Sequence, residues 1–322
     1  MAVRYPPLPI DPELAAALEL SREERIALDS PEKIPAMRAS MMARQIELSV
    51  LTADGALTVS EVDIEGPRGP IPAVIGRPAG ATTDVPVLLW LHGGGMVLHG
   101  HKGRDLVVLK EYALELGLGF VAVDYRVAPE NPHPAPVEDC YAALQWTVAH
   151  AAEHGFDTSR VLVGGASAGG GLAAGTALLA RDRKGPELFG QLLVYPMIDD
   201  RNDSPSAEQM AGLGVWDRAA NEIGWTALLG DARGGPDVSP YAAPARATDL
   251  SGLPPAFLDV GTAETFRDEV LDYATRLCRS GVQSELHLWP GAYHGFDHSA
   301  PQAGLSLEAG EARLRWLRRL LG

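Results

Sequence analysis

Short apolar segments alternate with amphipathic ones along most of this chain. Beyond residue 84, several segments are short, mostly apolar and bounded by turn-forming residues, which predicts strands. They are residues 85–91, 118–123, 161–163, 191–195, 255–260 and 285–289. Helical patterns lie between them, and strands that alternate with helices are typical of a parallel sheet covered on both faces.

The helical patterns have recognisable bounds. One spans about residues 103–116, one begins at Pro136 and ends near Gly155, and a final helix covers residues 305–321. A further helix is expected between the last two strands. In the helix that begins at Pro136, four apolar side chains recur at helical spacing and share one face: Val137, Tyr141, Leu144 and Val148.

Residues 11–48 are predicted to be helical. Asp11-Pro12 and the capping box Ser21-Arg-Glu-Glu24 are signals for helix starts, and Pro31 suits the first turn of a third helix. That third helix places three apolar side chains on one stripe: Ile34, Met37 and Met41.

Two β-type segments follow the helical region. Residues 56–64 and 71–75 are separated by a Gly/Pro turn, which predicts an antiparallel pair at one sheet edge. With the segments above, the chain has about eight strands. The predicted fold class is therefore α/β, with a mostly parallel eight-stranded sheet flanked by helices.

Residues 197–250 interrupt this alternation with polar turns and one helical stretch, roughly 217–229. We interpret part of this region, together with the N-terminal helices, as a cap over the sheet. Two independent domains are the alternative, which is disfavoured because no linker-like composition separates them. The predicted organisation is an N-terminal cap segment at 1–50, catalytic core at 51–199, a second cap segment at 200–235 and the rest of the core at 236–322.

Composition narrows the class of partner. The chain is 46% hydrophobic and 21% charged, as in ordinary globular proteins, and 27 basic against 42 acidic residues give a net charge of −15. Such a surface repels phosphate backbones and anionic membranes, so we expect neither nucleic acid nor membrane as a partner. The first residues contain no apolar signal-peptide core, and no stretch approaches about 20 apolar residues. A cytoplasmic location follows by default.

The cysteines predict little chemistry. Cys140 and Cys278 both fall in helix-like segments far apart in sequence. We expect free, mostly buried thiols rather than a disulfide.

A serine lies at the centre of a glycine-rich turn. The stretch Gly165-Ala-Ser-Ala-Gly169 follows an apolar strand and precedes a helix rich in small residues. Glycines on both sides permit the strained backbone that presents a nucleophile, and G-x-S-x-G in this context is typical of α/β-hydrolases. The pattern alone is weak, because a glycine-rich structural turn also produces it. Ser167 is the candidate nucleophile.

A second glycine cluster supplies candidate oxyanion donors. His92-Gly-Gly-Gly95 comes directly after a predicted buried strand. Glycines leave backbone N–H groups free to point at the oxygen of a tetrahedral intermediate. We predict that Gly94 and Gly95 donate there together with Ala168, the residue after the nucleophile. The alternative is a flexible loop without a role in chemistry.

A histidine in the loop after the last predicted strand is the candidate base. His294, in Gly291-Ala-Tyr-His-Gly-Phe296, falls at the carboxyl edge of the sheet, where open α/β folds bind ligands. It would accept the Ser167 proton and return it to the leaving group. His287 lies within a strand and is expected to pack, and His298 would serve only if the loop were displaced.

Three acids compete for the place beside the histidine. Glu264 lies at the turn after the strand 255–260, Asp268 would stabilise the start of a helix, and Asp259 lies inside the strand and is expected to face a flanking helix. Glu264 is favoured because it lies at the turn itself, thirty residues before His294, and the order serine, acid, histidine is that of α/β-hydrolases.

In combination these stretches resemble the hormone-sensitive-lipase-like (bacterial family IV) esterases of the α/β-hydrolase superfamily. The matching segments are His92–Gly95, Asp124-Tyr-Arg-Val-Ala-Pro-Glu130, Gly165–Gly170, Phe266-Arg-Asp-Glu269 and His294-Gly-Phe296, whereas the first 50 residues match loosely. The resemblance implies an α/β-hydrolase fold with a helical cap, no cofactor, and hydrolysis of short- to medium-chain carboxylic esters.

The chain departs from this family in three places. Ala166 stands where the family usually has Asp, Glu264-Thr-Phe266 replaces Asp-Pro-Leu, and Asn131 replaces a common histidine. A glutamate is one methylene longer, so its backbone must lie about 1.5 Å farther back to hold the same imidazole. Asn131 is interpreted as structural.

Several other residues are assigned structural roles. His99 and His101 are interpreted as loop histidines and not as metal ligands, and no metal site is predicted. The segment from Tyr125 to Glu130 is expected to brace the oxyanion loop through hydrogen bonds. For five apolar side chains, core packing and a substrate wall both remain open: Met37, Met41, Met42, Trp216 and Trp225.

The sequence therefore predicts a serine carboxylesterase that acts through an acyl-enzyme on a small-molecule ester. A lactone, an acetylated small molecule or an amide is the alternative substrate for the same residues. A non-catalytic small-molecule receptor on this fold is a third hypothesis, disfavoured because Ser167, Glu264 and His294 are all present. Fold resemblance also suggests a homodimer through the exposed edge of the last strand.

Overall fold

The structure is a computed structural model of the 322-residue chain and describes residues 5–20 and 27–322. Its strands are β1 Leu57–Gly66, β2 Gly69–Pro78, β3 Val85–Leu91, β4 Gly119–Val123, β5 Phe156–Ala166, β6 Gly190–Val194, β7 Ala256–Gly261 and β8 Ser284–Trp289. The capping box predicted at Ser21–Glu24 lies outside the described residues.

Helices connect and flank the strands. Within the described residues they are α1 Pro12–Leu20, α2 Ile34–Met42, α3 Leu48–Leu51, α4 Asp105–Leu116, α5 Ala135–Ala149, α6 Ala151–His154, α7 Ala168–Asp182, α8 Pro205–Gln209, α9 Arg218–Leu229, α10 Arg267–Arg279, α11 Phe296–Ser299 and α12 Gly304–Leu321.

One eight-stranded sheet organises the chain, in the order β1-β2-β4-β3-β5-β6-β7-β8. β1 pairs antiparallel with β2, and β2 pairs antiparallel with β4. All remaining pairs are parallel. The predicted fold class is confirmed, and so is the antiparallel pair at one edge.

The apolar strands occupy the centre of the sheet because both of their faces are covered. Every residue of β3, β4, β6 and β7 is buried. α5 and α7 pack on each other and on β5, whereas α12 packs on α4 and on β7. β8 lies at the edge and alternates between exposed and partly covered positions.

Two predicted details differ from the structure. The helix that begins near Pro136 ends at Ala149, and a separate short helix, α6, carries the chain to His154. Cys278 is exposed, not buried, whereas Cys140 is buried as expected, and both thiols are free. Cys278 follows Leu277, the last buried residue of α10, and therefore lies about 100° around the helix from the buried stripe.

The start of α7 lies unusually close to the end of β3. A Cβ atom on Gly169 would be 1.9 Å from the carbonyl oxygen of Leu91, and one on Gly165 would be 2.5 Å from the same atom. Neither contact is possible for a real side chain. Glycine at these two positions is what allows the helix to begin directly above the sheet.

We predict opposite effects for two Gly→Ala substitutions in helices. Gly169→Ala should lower the free energy of unfolding by about 1–3 kcal/mol or more, because backbone must move to admit the methyl group. Gly310→Ala in α12 should raise it by about 0.5–1 kcal/mol, since no neighbouring atom lies within 4 Å of its Cβ position. Denaturant melts of both variants measure this difference, and a neutral Gly169→Ala would contradict the packing described here.

Candidate active site

Ser167 occupies the turn between β5 and α7 with a backbone that non-glycine residues rarely adopt. Its φ is +59° and its ψ is −120°. The strain is balanced by hydrogen bonds on both sides: its N–H donates to Val194 O at 2.9 Å, and its carbonyl accepts from the N–H groups of Gly171 and Met197. Such strain persists only where surrounding contacts hold it, and it is common at functional sites.

The three residues proposed for the triad lie together. Nε2 of His294 is 2.8 Å from Oγ of Ser167, and Nδ1 of His294 is 3.0 and 3.1 Å from the two carboxylate oxygens of Glu264. Ser167 is 6% exposed, His294 8% and Glu264 0%. A carboxylate that accepts a hydrogen bond from Nδ1–H keeps the proton of the neutral imidazole on that nitrogen and leaves Nε2 free to accept the proton of the serine.

The imidazole is confined by its neighbours. The rings of Tyr195 and Phe266 each present an edge contact to His294 at a centroid distance of 5.0 Å. The Phe266 N–H also donates to Glu264 Oε1 at 3.2 Å. Glu264 is therefore placed by the backbone of the turn that carries it, as well as by the histidine.

The competing acids lie elsewhere. Asp268, in the first turn of α10, accepts from the Ser206 N–H at 2.9 Å and from Arg267. Asp259 is fully buried on β7 and accepts from Arg313 of α12, as expected for a side chain that faces a flanking helix. Both acids have structural partners away from His294.

The competing histidines are also engaged elsewhere. His287, on β8, lies 2.8 Å from Glu285 and stacks on Trp289. His298 faces Asp105 across 3.2 Å. Neither contacts Ser167.

A buried arginine behind the histidine loop was missed by the sequence analysis. Arg313 is 5% exposed and donates to Asp259 at 2.9 Å and to Asp297 at 2.5 Å. Asp297 follows His294 by three residues and also accepts from the Tyr195 hydroxyl at 2.9 Å. In sequence, Arg313 is only one of several arginines in an amphipathic helix, so no local pattern distinguishes it.

The two carboxylates around Arg313 respond differently to burial. Burial opposes ionisation of Asp297, but Arg313 and His298 outweigh it and hold the pKa of Asp297 below its usual range. For Asp259, burial dominates over Arg313 and raises the pKa. The ionised Asp297–Arg313 pair therefore ties the loop of His294 to α12.

The glycine loop after β3, residues 92–98, lies beside Ser167. A Cβ atom on Gly93 would be 3.4 Å from Cβ of Ser167. Gly94 and Gly95 have φ values of +118° and +61°, and Cβ atoms there would collide with Leu98 and Trp216. Considering the described residues alone, the amides of Gly94, Gly95 and Ala168 donate to no protein acceptor.

The segment after β4 braces this loop, as predicted. The Tyr125 hydroxyl donates to His92 O at 2.7 Å, and the two rings stack at 4.2 Å. The Ala128 N–H donates to Met96 O at 2.8 Å. Asn131 has the structural role assigned to it and donates to Val127 O.

Three imidazoles lie around one carboxylate oxygen beside the glycine loop. His92, His99 and His101 lie 3.5, 3.2 and 3.1 Å from Oδ1 of Asp124. Burial alone would raise the pKa of Asp124. The interactions with the three histidines outweigh burial and hold that pKa far below its usual value. In the described ranges, no group of His, Cys, Asp and Glu side chains is arranged to hold a metal ion.

The five apolar side chains left open between core packing and a substrate wall differ in how deeply they are buried. Trp225 is fully buried and Met42 is 61% exposed, whereas Met37 and Met41 pack partly buried against the core. Trp216 is 7% exposed and lies against Gly95 of the glycine loop. Ala166, which replaces the family's Asp, is buried beside the nucleophile.

Comparison with known proteins identifies the class. A family model described as alpha/beta hydrolase fold matches residues 88–298. Carboxylesterase NlhH of Mycobacterium tuberculosis is 38% identical over 257 residues, which cover 78% of this chain and 79% of that protein. No helix in the part of the chain that the structure describes is long and apolar enough to cross a bilayer.

Solved structures agree with this class. A bacterial heroin esterase superposes with a TM-score of 0.88 at 39% identity and covers 97% of this chain and 98% of its own. Esterase LipW of Mycobacterium marinum superposes with a TM-score of 0.87 at 35% identity, covering 98% of each chain. The chain is an α/β-hydrolase and belongs to the hormone-sensitive-lipase-like esterase family.

Substitution of the two acids should separate their roles. Glu264→Gln is expected to lower kcat by about 10³- to 10⁴-fold, since an amide cannot stabilise the imidazolium and favours the wrong tautomer. Asp268→Asn should keep kcat within a few-fold of wild type, because its partners are Ser206 and Arg267. Steady-state kinetics on one ester test both, and equal losses would contradict the assignment.

Proposed function

We propose that this protein is a serine carboxylesterase that hydrolyses short- to medium-chain carboxylic esters through an acyl-enzyme. The observation that carries the proposal is the 2.8 Å approach of Ser167 Oγ to His294 Nε2, with Glu264 on the other nitrogen. Relatives named carboxylesterase, esterase or carboxylic ester hydrolase at 35–38% identity support the same activity.

In the first step, Ser167 Oγ attacks the ester carbonyl carbon while His294 takes its proton. Charge moves to the carbonyl oxygen, which the N–H groups of Gly94, Gly95 and Ala168 would stabilise. One such donor typically lowers the barrier by about 2.7–4 kcal/mol. Glu264 holds the resulting imidazolium and is itself not protonated.

The intermediate then collapses and breaks the bond to the alcohol oxygen, which leaves with the proton from His294. Water enters, gives a proton to His294 and attacks the acyl carbon. Collapse of the second intermediate returns that proton to Ser167 and releases the carboxylic acid. These steps require neither metal nor redox cofactor.

We assign the described residues within 1–50, together with residues 200–235, to a cap that borders the substrate. Contacts of two cap residues, Trp216 and Arg38, support this assignment. Trp216 packs on Gly95, and its carbonyl accepts from the Thr265 hydroxyl, next to Glu264, at 2.7 Å. Arg38 donates to Val97 O within the glycine loop. Both cap segments therefore contact the glycine loop that carries the proposed oxyanion donors Gly94 and Gly95.

The cytoplasm is the compartment we propose. The exposed thiol of Cys278 supports it, because reducing compartments keep such thiols unpaired.

Covalent labelling and substitution test the proposed activity. Wild-type protein should hydrolyse p-nitrophenyl butyrate and bind one equivalent of a serine-directed phosphonate, whereas Ser167→Ala should lose at least about 10³-fold in kcat and all labelling. Ser159→Ala, at an exposed position of β5, is the matched control. Near-wild-type hydrolysis by Ser167→Ala would rule out the mechanism, and an unlabelled wild type would favour a receptor.

We also propose a homodimer formed by pairing of the β8 edges. This strand has an open backbone edge, and Leu286 and Leu288 on it are 37% and 43% exposed. Light scattering should give about 68 kDa, twice the 34.2 kDa of one chain. Leu288→Glu should reduce this to the monomer mass, whereas Leu114→Glu, on α4, should not. A wild-type monomer would refute the dimer.

A further inference from the structure

One side chain from the N-terminal region reaches the glycine loop directly. Arg38 lies on α2, far from the motifs of the core in sequence. Its Nε donates to the carbonyl of Val97 at 2.7 Å, and its Nη2 donates to the carbonyl of Ala128 at 2.7 Å. Arg38 therefore bridges the glycine loop and the segment that braces it.

A carboxylate orients the guanidinium for this task. The two oxygens of Glu130 each accept from Arg38 at 2.8 Å, one from Nη1 and one from Nη2. The arginine side chain is 18% exposed and the glutamate side chain 59% exposed. A pair this accessible adds at most about 1 kcal/mol to stability. Its consequence is geometric, since the bidentate contact fixes the plane in which the other N–H groups point.

Hydrogen bonds link Arg38 through Val97 to Gly94, one of the proposed oxyanion donors. Val97, whose carbonyl Arg38 holds, donates its own N–H to Gly94 O at 3.0 Å. Between them, Met96 is held at a φ of +64°, a strained value for a side chain of this kind, and its carbonyl accepts from the Ala128 N–H. Arg38 thus holds the end of a strained turn that begins at Gly94, and it also holds Ala128, whose N–H bonds to the middle of that turn.

We propose that Arg38 is a positioning residue for the oxyanion hole. It contacts no reacting atom but keeps the turn from Gly94 to Val97 in the shape that presents the donors. The inference rests on the proposed esterase function. Because those donors act mainly on the transition state, loosening them should lower kcat with little change in KM.

Lysine cannot replace this arginine. The planar guanidinium addresses two carbonyl oxygens and a carboxylate at once, whereas an ammonium is a point charge without that fixed geometry. Arg38→Lys should therefore keep the charge but lose the alignment of the turn.

The test compares variants in p-nitrophenyl butyrate hydrolysis. Arg38→Ala should lower kcat by about 10- to 100-fold with KM within about threefold of wild type. Guanidinium chloride at non-denaturing millimolar concentration should restore part of kcat, by filling the space between Val97 O, Ala128 O and Glu130. Arg279→Ala, at an exposed arginine in the last turn of α10 and outside both cap segments, removes the same charge and should leave kcat and its response to guanidinium unchanged.

The outcomes are distinguishable. Wild-type kcat in Arg38→Ala, or a loss that guanidinium does not relieve, would overturn the inference while leaving the esterase function intact. Absence of hydrolysis and of phosphonate labelling in the wild type would instead overturn the proposed function. If Arg38→Ala does not fold, Arg38→Lys decides: a kcat reduced about tenfold supports the positioning role, and a wild-type kcat refutes it.

Discussion

The close approach of α7 to the carboxyl end of β3 is the constraint on which the site depends. A Cβ atom at Gly165 or Gly169 would collide with Leu91 O. Glycine at both positions is therefore what allows the chain to turn sharply between them. Ser167 lies in that turn with a positive φ. Its backbone carbonyl accepts a hydrogen bond from Met197, just after β6, and its N–H donates one to Val194 of β6. The strain at the serine is therefore held by the sheet and the helix together.

The rest of the site is fastened to this turn by contacts between distant segments. His294 is held by Glu264 on one side and by the rings of Tyr195 and Phe266. Behind it, Arg313 anchors the histidine loop through Asp297. Such a buried cluster is costly to desolvate and adds little net stability. Its consequence here is orientation, because β7 and the histidine loop are both held by one arginine of α12.

Much of the fold was predictable from the sequence because apolar strands and amphipathic helices have different periods. The parallel sheet, its antiparallel edge and the Gly-X-Ser-X-Gly turn all follow from local patterns. Glu264, His294 and the glycine loop were identified by position after predicted strands, since parallel strands end at one edge of the sheet. The exposure of Cys278 was predicted wrongly, because one step around a helix changes the face.

The sequence by itself determined the fold class and the candidate residues at the carboxyl edge of the sheet, because hydrophobic periodicity and turn chemistry are local properties. Only the tertiary structure shows that Glu264, and not Asp268 or Asp259, lies beside His294, since the partners of these acids come from the histidine loop, α8 and α12. It alone also identified Arg38 and Arg313. An arginine on an amphipathic helix looks the same in sequence whether it faces water or holds a distant loop, because the acceptors it bonds are set by packing.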